Sequence, residues 1–308
     1  MLLKKLIIFL ILSFFLINFA KSQEVIIISK VGNEIITNVD IEIEKKYLLI
    51  LNKNLNKLSK KEFYTLAKNS LVREIIKKNE VNKSFNKNNE EIDNEIVKNF
   101  YKKLGFEKKN EFVNFLNKKK IRIEDLKSKL VIETLWNQII LNKFKNKIRI
   151  DEKSIEKQII SYYNSKGKKY EYNLSEIVIE NVKDIDLKKK EILNYIDQYG
   201  FKIAANKYSK SNTSKFGGEI GWIKSSSLLK DIEKKISKIK IGEISDPILT
   251  SNAYLILKLN DKREIEEKFD LKKEIKQQIK FEQNRQLNQF SLNYYKKLKK
   301  NINIYENK

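Results

Sequence analysis

The chain has no histidine and no cysteine, and its 308 residues include only one proline and eight glycines. These absences exclude disulfides, metal sites built from cysteine or histidine, Ser-His-Asp triads and cysteine nucleophiles. Any catalysis must therefore use carboxylates, hydroxyls, lysine, arginine or backbone groups. We expect no cofactor and no bound metal ion.

Basic residues are abundant: the chain has 64 lysines and arginines and 40 acidic residues, which gives a net charge of +24. A basic chain can indicate a nucleic-acid binder. The lysines, however, follow every predicted helical face and form no basic stripe interleaved with aromatic residues. We interpret the charge as biased composition and expect no nucleic-acid partner, although a basic surface could favour acidic clients or anionic membrane surfaces.

Residues 1–22 have the layout of a cleaved export signal. MLLKK is followed by the short apolar run LIIFLILSFFLINFA, and then by small residues at Ala20 and Ser22, with Gln23 as the expected mature start. The alternative is an N-terminal anchor, but the run is short for a spanning helix, which needs about 20 apolar residues. We expect export to the periplasm and no stable membrane insertion after cleavage.

The mature chain predicts an α+β protein. Residues 23–160 predict a mainly helical domain, with a hairpin signal around Gly32 and a capping box at Ser59-Lys60-Lys61-Glu62. Apolar stripes on its helices are expected to pack on one another, leaving some surface for a client or partner helix. Residues 161–168 read as a linker. Residues 169–263 predict the order β-α-α-β-α-β-β, and residues 264–308 predict a C-terminal helix that returns to the N-terminal domain.

The stretch FGGEIGW, residues 216–222, holds three of the eight glycines and one of the two tryptophans. Taken alone it is a turn leading into a strand. Together with YNLSEIVI, GFKIAANKYS, LLKDIEKKISKIKIGEISDPI and TSNAYLILKLNDKRE, in this order and without large gaps, it resembles a parvulin-type peptidyl-prolyl isomerase domain. The whole plan is similar to SurA-like periplasmic chaperones, here with a single parvulin domain. The resemblance implies a small antiparallel sheet and isomerase activity on X–Pro bonds.

The resemblance places an apolar proline pocket on Ile220, Leu228 and Ile232. All three are aliphatic, although the family commonly has Met or Phe at the last two positions. The alternative is that these side chains are ordinary core. We also assign Trp222 to substrate binding.

The polar residues of the expected site differ from those of the family. The two histidines of active parvulins fall on Glu176 and Leu255, the usual Cys or Asp falls on Ser211, and a position often held by serine falls on Asn252. Glu176 could contact clients in a groove, or could hydrogen-bond nearby hydroxyl or backbone groups in a structural role. Isomerase activity is expected to be weak or absent.

Two functions follow from these expectations. The first is a periplasmic chaperone that binds unfolded outer-membrane proteins in a cleft between the helical and parvulin domains, with the outer-membrane assembly machinery as a candidate partner. The alternative is an active prolyl isomerase that acts on exported proteins.

Overall fold

The computed structural model describes residues 24–85, 90–164, 168–180, 182, 184–250, 253–265 and 270–307. The predicted export signal and the predicted mature start at Gln23 lie outside these residues. No helix in the described part of the chain combines the length and the apolar character that crossing a bilayer requires. The architecture is α+β, with many helices and two small antiparallel sheets, which confirms the predicted fold class.

The N-terminal hairpin forms where the sequence predicts it. Strands β1 (Ile27–Val31) and β2 (Glu34–Thr37) are joined by a two-residue turn in which Gly32 has a φ of 60°. The first helix, α1 (Asn38–Leu51), begins with a capping box. The Thr37 hydroxyl accepts from the Asp40 amide at 3.2 Å, and the Asp40 carboxylate accepts from the Thr37 amide at 2.8 Å.

The predicted capping box at Ser59 starts the second helix, α2 (Lys60–Ser84). The Ser59 hydroxyl accepts from the Glu62 amide at 3.3 Å, and the Glu62 carboxylate accepts from the Ser59 amide at 3.3 Å. The helices α3 (Glu90–Lys103), α4 (Lys109–Lys118) and α5 (Ile123–Phe144) follow. Their apolar stripes pack on one another around the fully buried side chains Phe112, Leu116 and Leu126.

A sixth helix, α6 (Glu152–Asn164), corrects the predicted linker. Residues 161–164, which we expected to be irregular, are its last residues. The cause is a tertiary contact, because this helix packs on residues 225–228 of the next unit. The Gln158 amide donates to the Leu228 carbonyl at 3.0 Å, and Tyr162 and Ser225 share a hydrogen bond.

The next unit has the predicted order of elements. Strand β3 (Tyr170–Glu180) is followed by α7 (Ile185–Tyr199), α8 (Phe201–Tyr208), β4 (Glu219–Lys224), α9 (Lys230–Ile236), β5 (Ile248–Leu249) and β6 (Ala253–Glu264). The strands form one antiparallel sheet in the order β4-β3-β6-β5.

The C-terminal segment differs from the single helix predicted over residues 264–308. Glu264 ends strand β6, opposite Tyr170, and the helix α10 spans Leu271–Lys300. A short strand, β7 (Ile304–Glu306), then pairs antiparallel with β1. No local pattern predicts β7, because it is three residues long and its partner lies at the other end of the chain.

Helix α10 packs on the N-terminal helices through aromatic contacts. The Trp136 indole N–H donates to the Ser291 hydroxyl at 2.8 Å, and both side chains are buried. The rings of Trp136 and Tyr294 stack at 5.7 Å between centroids, and those of Phe144 and Phe290 stack at 5.0 Å. Because each large ring removes about 150–250 Å² from water, these contacts hold the helix in place despite its high charge.

The sheet-containing unit is docked on the helical part rather than separated from it. One buried cluster holds Ile76 of α2 together with Ile177 of β3 and Phe201 of α8. Buried polar contacts cross the same boundary. The Asn52 amide donates to the Asn206 side-chain oxygen at 2.6 Å. Because buried polar groups cost free energy unless they are paired, such contacts fix the relative position of the two parts.

A charged triad also crosses this boundary. The Glu133 carboxylate of α5 accepts from Lys77 of α2 at 2.7 Å and from Lys215, which precedes β4, at 2.5 Å. Burial raises the pKa of Glu133, but the two ammonium groups outweigh burial and hold this pKa well below its ordinary value. Burial lowers the pKa of Lys77 to about 8 despite the neighbouring carboxylate.

Candidate functional site

The register of the central strands places Glu176 and Leu255, which the resemblance aligns with the family's histidines, on one face of the sheet. Glu176 of β3 lies opposite Leu257 of β6, and Leu255 lies opposite Val178. Residues that face each other across an antiparallel pair point to the same side, and so do residues two apart. Glu176 and Leu255 are therefore diagonal neighbours on the face that also carries Leu257.

The Glu176 carboxylate is held by two hydroxyl groups. Its Oε1 atom accepts from Ser211 Oγ at 2.6 Å and from Thr213 Oγ1 at 2.9 Å. Burial raises the pKa of Glu176 above its ordinary value, and the two hydroxyl donors oppose this only in part. The structure thus brings Glu176 and Ser211 together, as the resemblance implies.

Thr213 is a member of this cluster that the sequence interpretation missed. Ser211 caps the short 3₁₀ segment Asn212–Phe216, accepting from the Thr213 amide at 3.3 Å. This turn aims the Thr213 hydroxyl at the same carboxylate oxygen. The run Ser-Asn-Thr-Ser after helix α8 was the available signal, since serine and threonine favour such local turns.

The glycines of FGGEIGW explain how this turn reaches the sheet. Gly218 has a φ of 81°, and its carbonyl accepts from the Glu176 amide at 2.8 Å. A Cβ atom at Gly218 would lie 2.3 Å from the Glu176 carbonyl oxygen and 3.0 Å from the Ala205 Cβ. Only glycine fits between strand β3 and helix α8 here. Gly217, with a φ of 72°, ends the 3₁₀ segment in the left-handed region.

Three of the predicted pocket residues lie together on the face that carries Glu176. Ile220, Leu228 and Ile232 share one apolar cluster with Leu255 and Leu257. Leu228 is 4% exposed and Ile232 is 9% exposed, while Ile220 is half-buried. These side chains cover the sheet, and Ile220 and Leu255 are among the members of the cluster that are only partly buried.

Trp222, which the sequence assigned to substrate binding, is not a member of this cluster. Trp222 is 39% exposed, and the Arg263 guanidinium lies 4.2 Å from its ring centroid. Arg263 is fixed in turn by an ion pair with Glu171 at 2.5 Å. Asn252 lies outside the described residues.

The chemistry available at this site is that of one carboxyl group and two hydroxyl groups beside an aliphatic surface. The hydroxyl hydrogens of Ser211 and Thr213 are already donated to Glu176. A protonated Glu176, favoured by its raised pKa, could donate a hydrogen bond. Within the described stretches, no group of three or more acidic side chains is arranged to hold a metal ion.

Comparison with known proteins shows what the segment that carries this site is similar to. The model of the PPIC-type PPIase (rotamase) domain matches residues 175–261. The foldase protein PrsA of Geobacillus kaustophilus is 27% identical over 243 residues, covering 75% of this chain and 77% of that protein. The chaperone SurA of Pseudomonas putida is 27% identical over 154 residues, covering 46% of this chain and 36% of that protein.

Solved structures of similar proteins include PrsA from Bacillus subtilis, at 18% identity and a TM-score of 0.30, covering 89% of this chain and 91% of that chain. Another is a structure from work on the SurA-like chaperones PEB4 and Cj1289 of Campylobacter jejuni, at 16% identity and a TM-score of 0.38, covering 92% of this chain and 99% of that chain. The chain carries a single PPIC-type parvulin domain and is related to PrsA and SurA.

Proposed function

We propose that this chain, a relative of PrsA and SurA with one parvulin domain, is an exported chaperone that binds unfolded polypeptides. The observation that carries the proposal is the extent of the similarity to PrsA. It runs over 243 residues, whereas the rotamase match spans residues 175–261. The similarity to a foldase therefore includes the helical part of the chain as well as the isomerase-like domain.

The proposed role of the parvulin domain is to hold clients rather than to catalyse rotation efficiently. The barrier to rotation about a peptide bond is about 18–20 kcal/mol, and a catalyst must bind the twisted amide better than the planar one. The side chains that stand at the histidine positions are a hydroxyl-bonded carboxylate, Glu176, and an aliphatic group, Leu255. This arrangement supports a weak or absent isomerase activity.

Active isomerisation is the second candidate, and one arrangement favours it. Glu176 lies on the same sheet face as the aliphatic cluster of Ile220, Leu228 and Ile232. Its raised pKa favours a protonated carboxyl group that could donate to a proline amide. The two candidates differ in whether the Glu176 carboxyl group hydrogen-bonds a substrate or only Ser211 and Thr213.

Two assays on the purified mature chain separate the candidates. A protease-coupled assay with an X–Pro peptide measures isomerisation, and light scattering of a diluted, unfolded outer-membrane protein measures chaperone action. We expect suppressed aggregation and no acceleration of isomerisation. Strong acceleration that disappears in Glu176→Gln, which keeps the size of the side chain, would favour the second candidate. A chain that neither suppresses aggregation nor accelerates rotation would refute both.

Export and client choice complete the proposal. The signal-like layout of residues 1–22 supports a periplasmic location, and that location favours unfolded outer-membrane proteins as clients, with their assembly machinery as a candidate partner. N-terminal sequencing of the protein released by osmotic shock tests the cleavage. The expected first residue is Gln23, and a full-length protein that stays in the membrane fraction would contradict it.

A further inference from the structure

A cleft lies where three parts of the chain meet: helix α2, helix α10, and the parvulin domain around α8 and the turn that follows it. Its volume is about 230 Å³. Among the described residues, seven lysine or arginine side chains line it, against one carboxylate, Glu180. This ratio of cations to carboxylates, seven to one, is larger than the ratio of 64 to 40 in the whole sequence.

Four of these cations have acidic neighbours. Lys77 and Lys215 share Glu133, as described above. The Lys296 ammonium lies 3.4 Å from the Glu180 carboxylate. The Lys207 ammonium lies 3.6 Å from the Glu62 carboxylate. Their charge is at least partly compensated within the protein.

Arg73, Lys210 and Lys299 form no ion pair with a carboxylate in the part of the chain that the structure describes, and in this sense alone we call their charge uncompensated. They come from three separate segments, so that docking of these segments brings like charges together. Burial lowers the pKa of Lys210, and the cations Arg73, Lys299 and Lys296 lower it further, against the opposing effect of Glu180. Bringing like charges together opposes folding, and a bound anion would relieve this repulsion.

The uncharged lining indicates what kind of anion fits. The amide side chain of Asn69 can donate to and accept from a peptide backbone. Asn212 donates to the Asn288 side-chain oxygen at 3.2 Å, which leaves the Asn212 oxygen and the Asn288 amide hydrogens for the same purpose. The aliphatic side chains of Leu66 and Leu292 offer apolar contact. A volume of about 230 Å³ is several times the roughly 30 Å³ that one water occupies in the liquid. The cleft therefore has room for more than a single small ion, and its mixed lining suits a peptide.

We propose that this cleft binds the carboxylate side chains of an acidic, extended segment of an unfolded client. The proposal rests on the proposed chaperone function and adds a preference to it: clients, or parts of clients, that carry aspartate and glutamate are held at the junction of the helical and parvulin parts. Arg73, Lys210 and Lys299 supply the uncompensated charge, and the neighbouring amides hold the peptide backbone.

The test uses the full mature chain and two variants that lose the same amount of charge. Lys210→Gln combined with Lys299→Gln removes two of the uncompensated cations of the cleft. Lys297→Gln combined with Lys300→Gln removes two exposed lysines of the same C-terminal helix that do not line the cleft. The probes are a labelled extended peptide rich in aspartate, a matched peptide with asparagine at each aspartate, and inorganic phosphate as a competitor. Binding is followed by fluorescence anisotropy at low and at physiological salt.

We expect the aspartate peptide to bind more tightly than the asparagine peptide, and the cleft variant to weaken the aspartate peptide by at least about fivefold, the effect of one charge contact in water. The control variant should change this affinity by less than about twofold. Equal weakening in both variants would overturn the proposal in favour of general surface charge. Phosphate that displaces the aspartate peptide at low millimolar concentration would overturn it in favour of a small-anion site.

The proposed function and this inference can fail separately. If the chain suppresses aggregation of an unfolded client but binds both peptides equally, the chaperone function stands and the acidic preference is wrong. If the chain suppresses no aggregation, the chaperone function itself is wrong. Neither double substitution breaks a described ion pair, so we expect both variants to fold. Thermal unfolding of each variant checks this.

Discussion

The triad formed by Glu133, Lys77 and Lys215 provides the sharpest test of how the parvulin domain is attached. Glu133→Gln keeps the shape of the side chain and removes its charge, leaving the buried Lys77 ammonium and the Lys215 ammonium without their shared partner. Removing one member of a buried ion pair costs about 3–5 kcal/mol. Two features reduce this cost: the Glu133 side chain is 26% exposed, and Lys77 can lose its proton because its pKa is about 8.

We therefore expect Glu133→Gln to lower the free energy of unfolding by about 2–3 kcal/mol at pH 7.5. This corresponds to a fall in melting temperature of roughly 5–10 °C, at about 2–4 °C per kcal/mol for a chain of this size class. The assay is urea unfolding followed by tryptophan fluorescence, because Trp136 reports on the helical part and Trp222 on the parvulin sheet. The matched control is Glu42→Gln, which removes an exposed i,i+3 pair with Lys45 and should cost less than about 0.5 kcal/mol.

The pH dependence gives a second, independent check on this triad. Lys77 has a folded pKa of about 8, below its unfolded value of about 10.4, so its unfavourable contribution fades as the pH rises from about 8 to about 10. In Glu133→Gln the pKa of Lys77 should fall further, and the deficit relative to the parent chain should shrink by roughly 0.5–1 kcal/mol between pH 7.5 and 9.5.

Acidification tests the carboxylate side of the same triad. Glu133 has a lowered pKa, so its stabilising contribution is present above its unfolded value of about 4.3 and is lost as the pH falls through the folded value. The variant should show less of this acid-induced loss. A deficit at pH 7.5 no larger than that of Glu42→Gln, or one that does not respond to pH, would refute the account of the triad.

Three further changes test the site and its supports. Gly218→Ala should lower the free energy of unfolding by about 2–4 kcal/mol, because the added Cβ would clash with the Glu176 carbonyl. The control is Gly105→Ala, a glycine that also has a positive φ but has open space around it, and this change should cost only about 1–2 kcal/mol. A similar loss for both variants in urea unfolding would mean that the close approach at Gly218 does not matter. Glu176→Gln should change the free energy of unfolding at pH 7 by less than about 1 kcal/mol. The reason is that a carboxyl group with a raised pKa stabilises the folded state below its unfolded pKa of about 4.3, and this stabilisation is lost as the pH rises through the pKa of the folded state. A large loss of stability at pH 7, measured by thermal unfolding, would contradict the raised pKa. Trp136→Phe should lower the free energy of unfolding by about 2–3 kcal/mol, because it removes the hydrogen bond to Ser291 and leaves a cavity where the larger indole ring was. It should also speed amide hydrogen exchange in α10, and unchanged exchange there would mean that Trp136 does not hold this helix in place.

Local patterns predicted the elements of the parvulin domain because each depends on near neighbours in the sequence. Glycines at Gly217 and Gly218 mark a left-handed turn, and the strand Tyr170–Glu180 shows the alternation of period two that identifies a strand. The capping box at Ser59 depends on a residue three positions away. Such signals need no knowledge of the rest of the chain.

The errors of prediction have the opposite origin. The helix that ends at Asn164 includes the first four residues of the expected linker because it packs on the parvulin domain, and strand β7 exists because β1 offers it an edge. Thr213 joins the Glu176 cluster through a turn whose direction depends on the sheet behind it. Each of these features is stabilised by contacts between residues far apart in the sequence, which no local pattern encodes.

The amino-acid sequence was sufficient to predict the α+β class and the order of strands and helices in the parvulin domain, and to propose that Glu176 and Leu255 stand where the family has histidines. Residue identity and short-range periodicity carry these properties. The tertiary structure alone decided that the Glu176 carboxylate is bound by two hydroxyl groups, that Leu228 and Ile232 are buried in the cover of the sheet, and that three segments bring uncompensated cations into one cleft. These properties depend on distances in space, which arise only when the helical part, the parvulin domain and the C-terminal helix pack together.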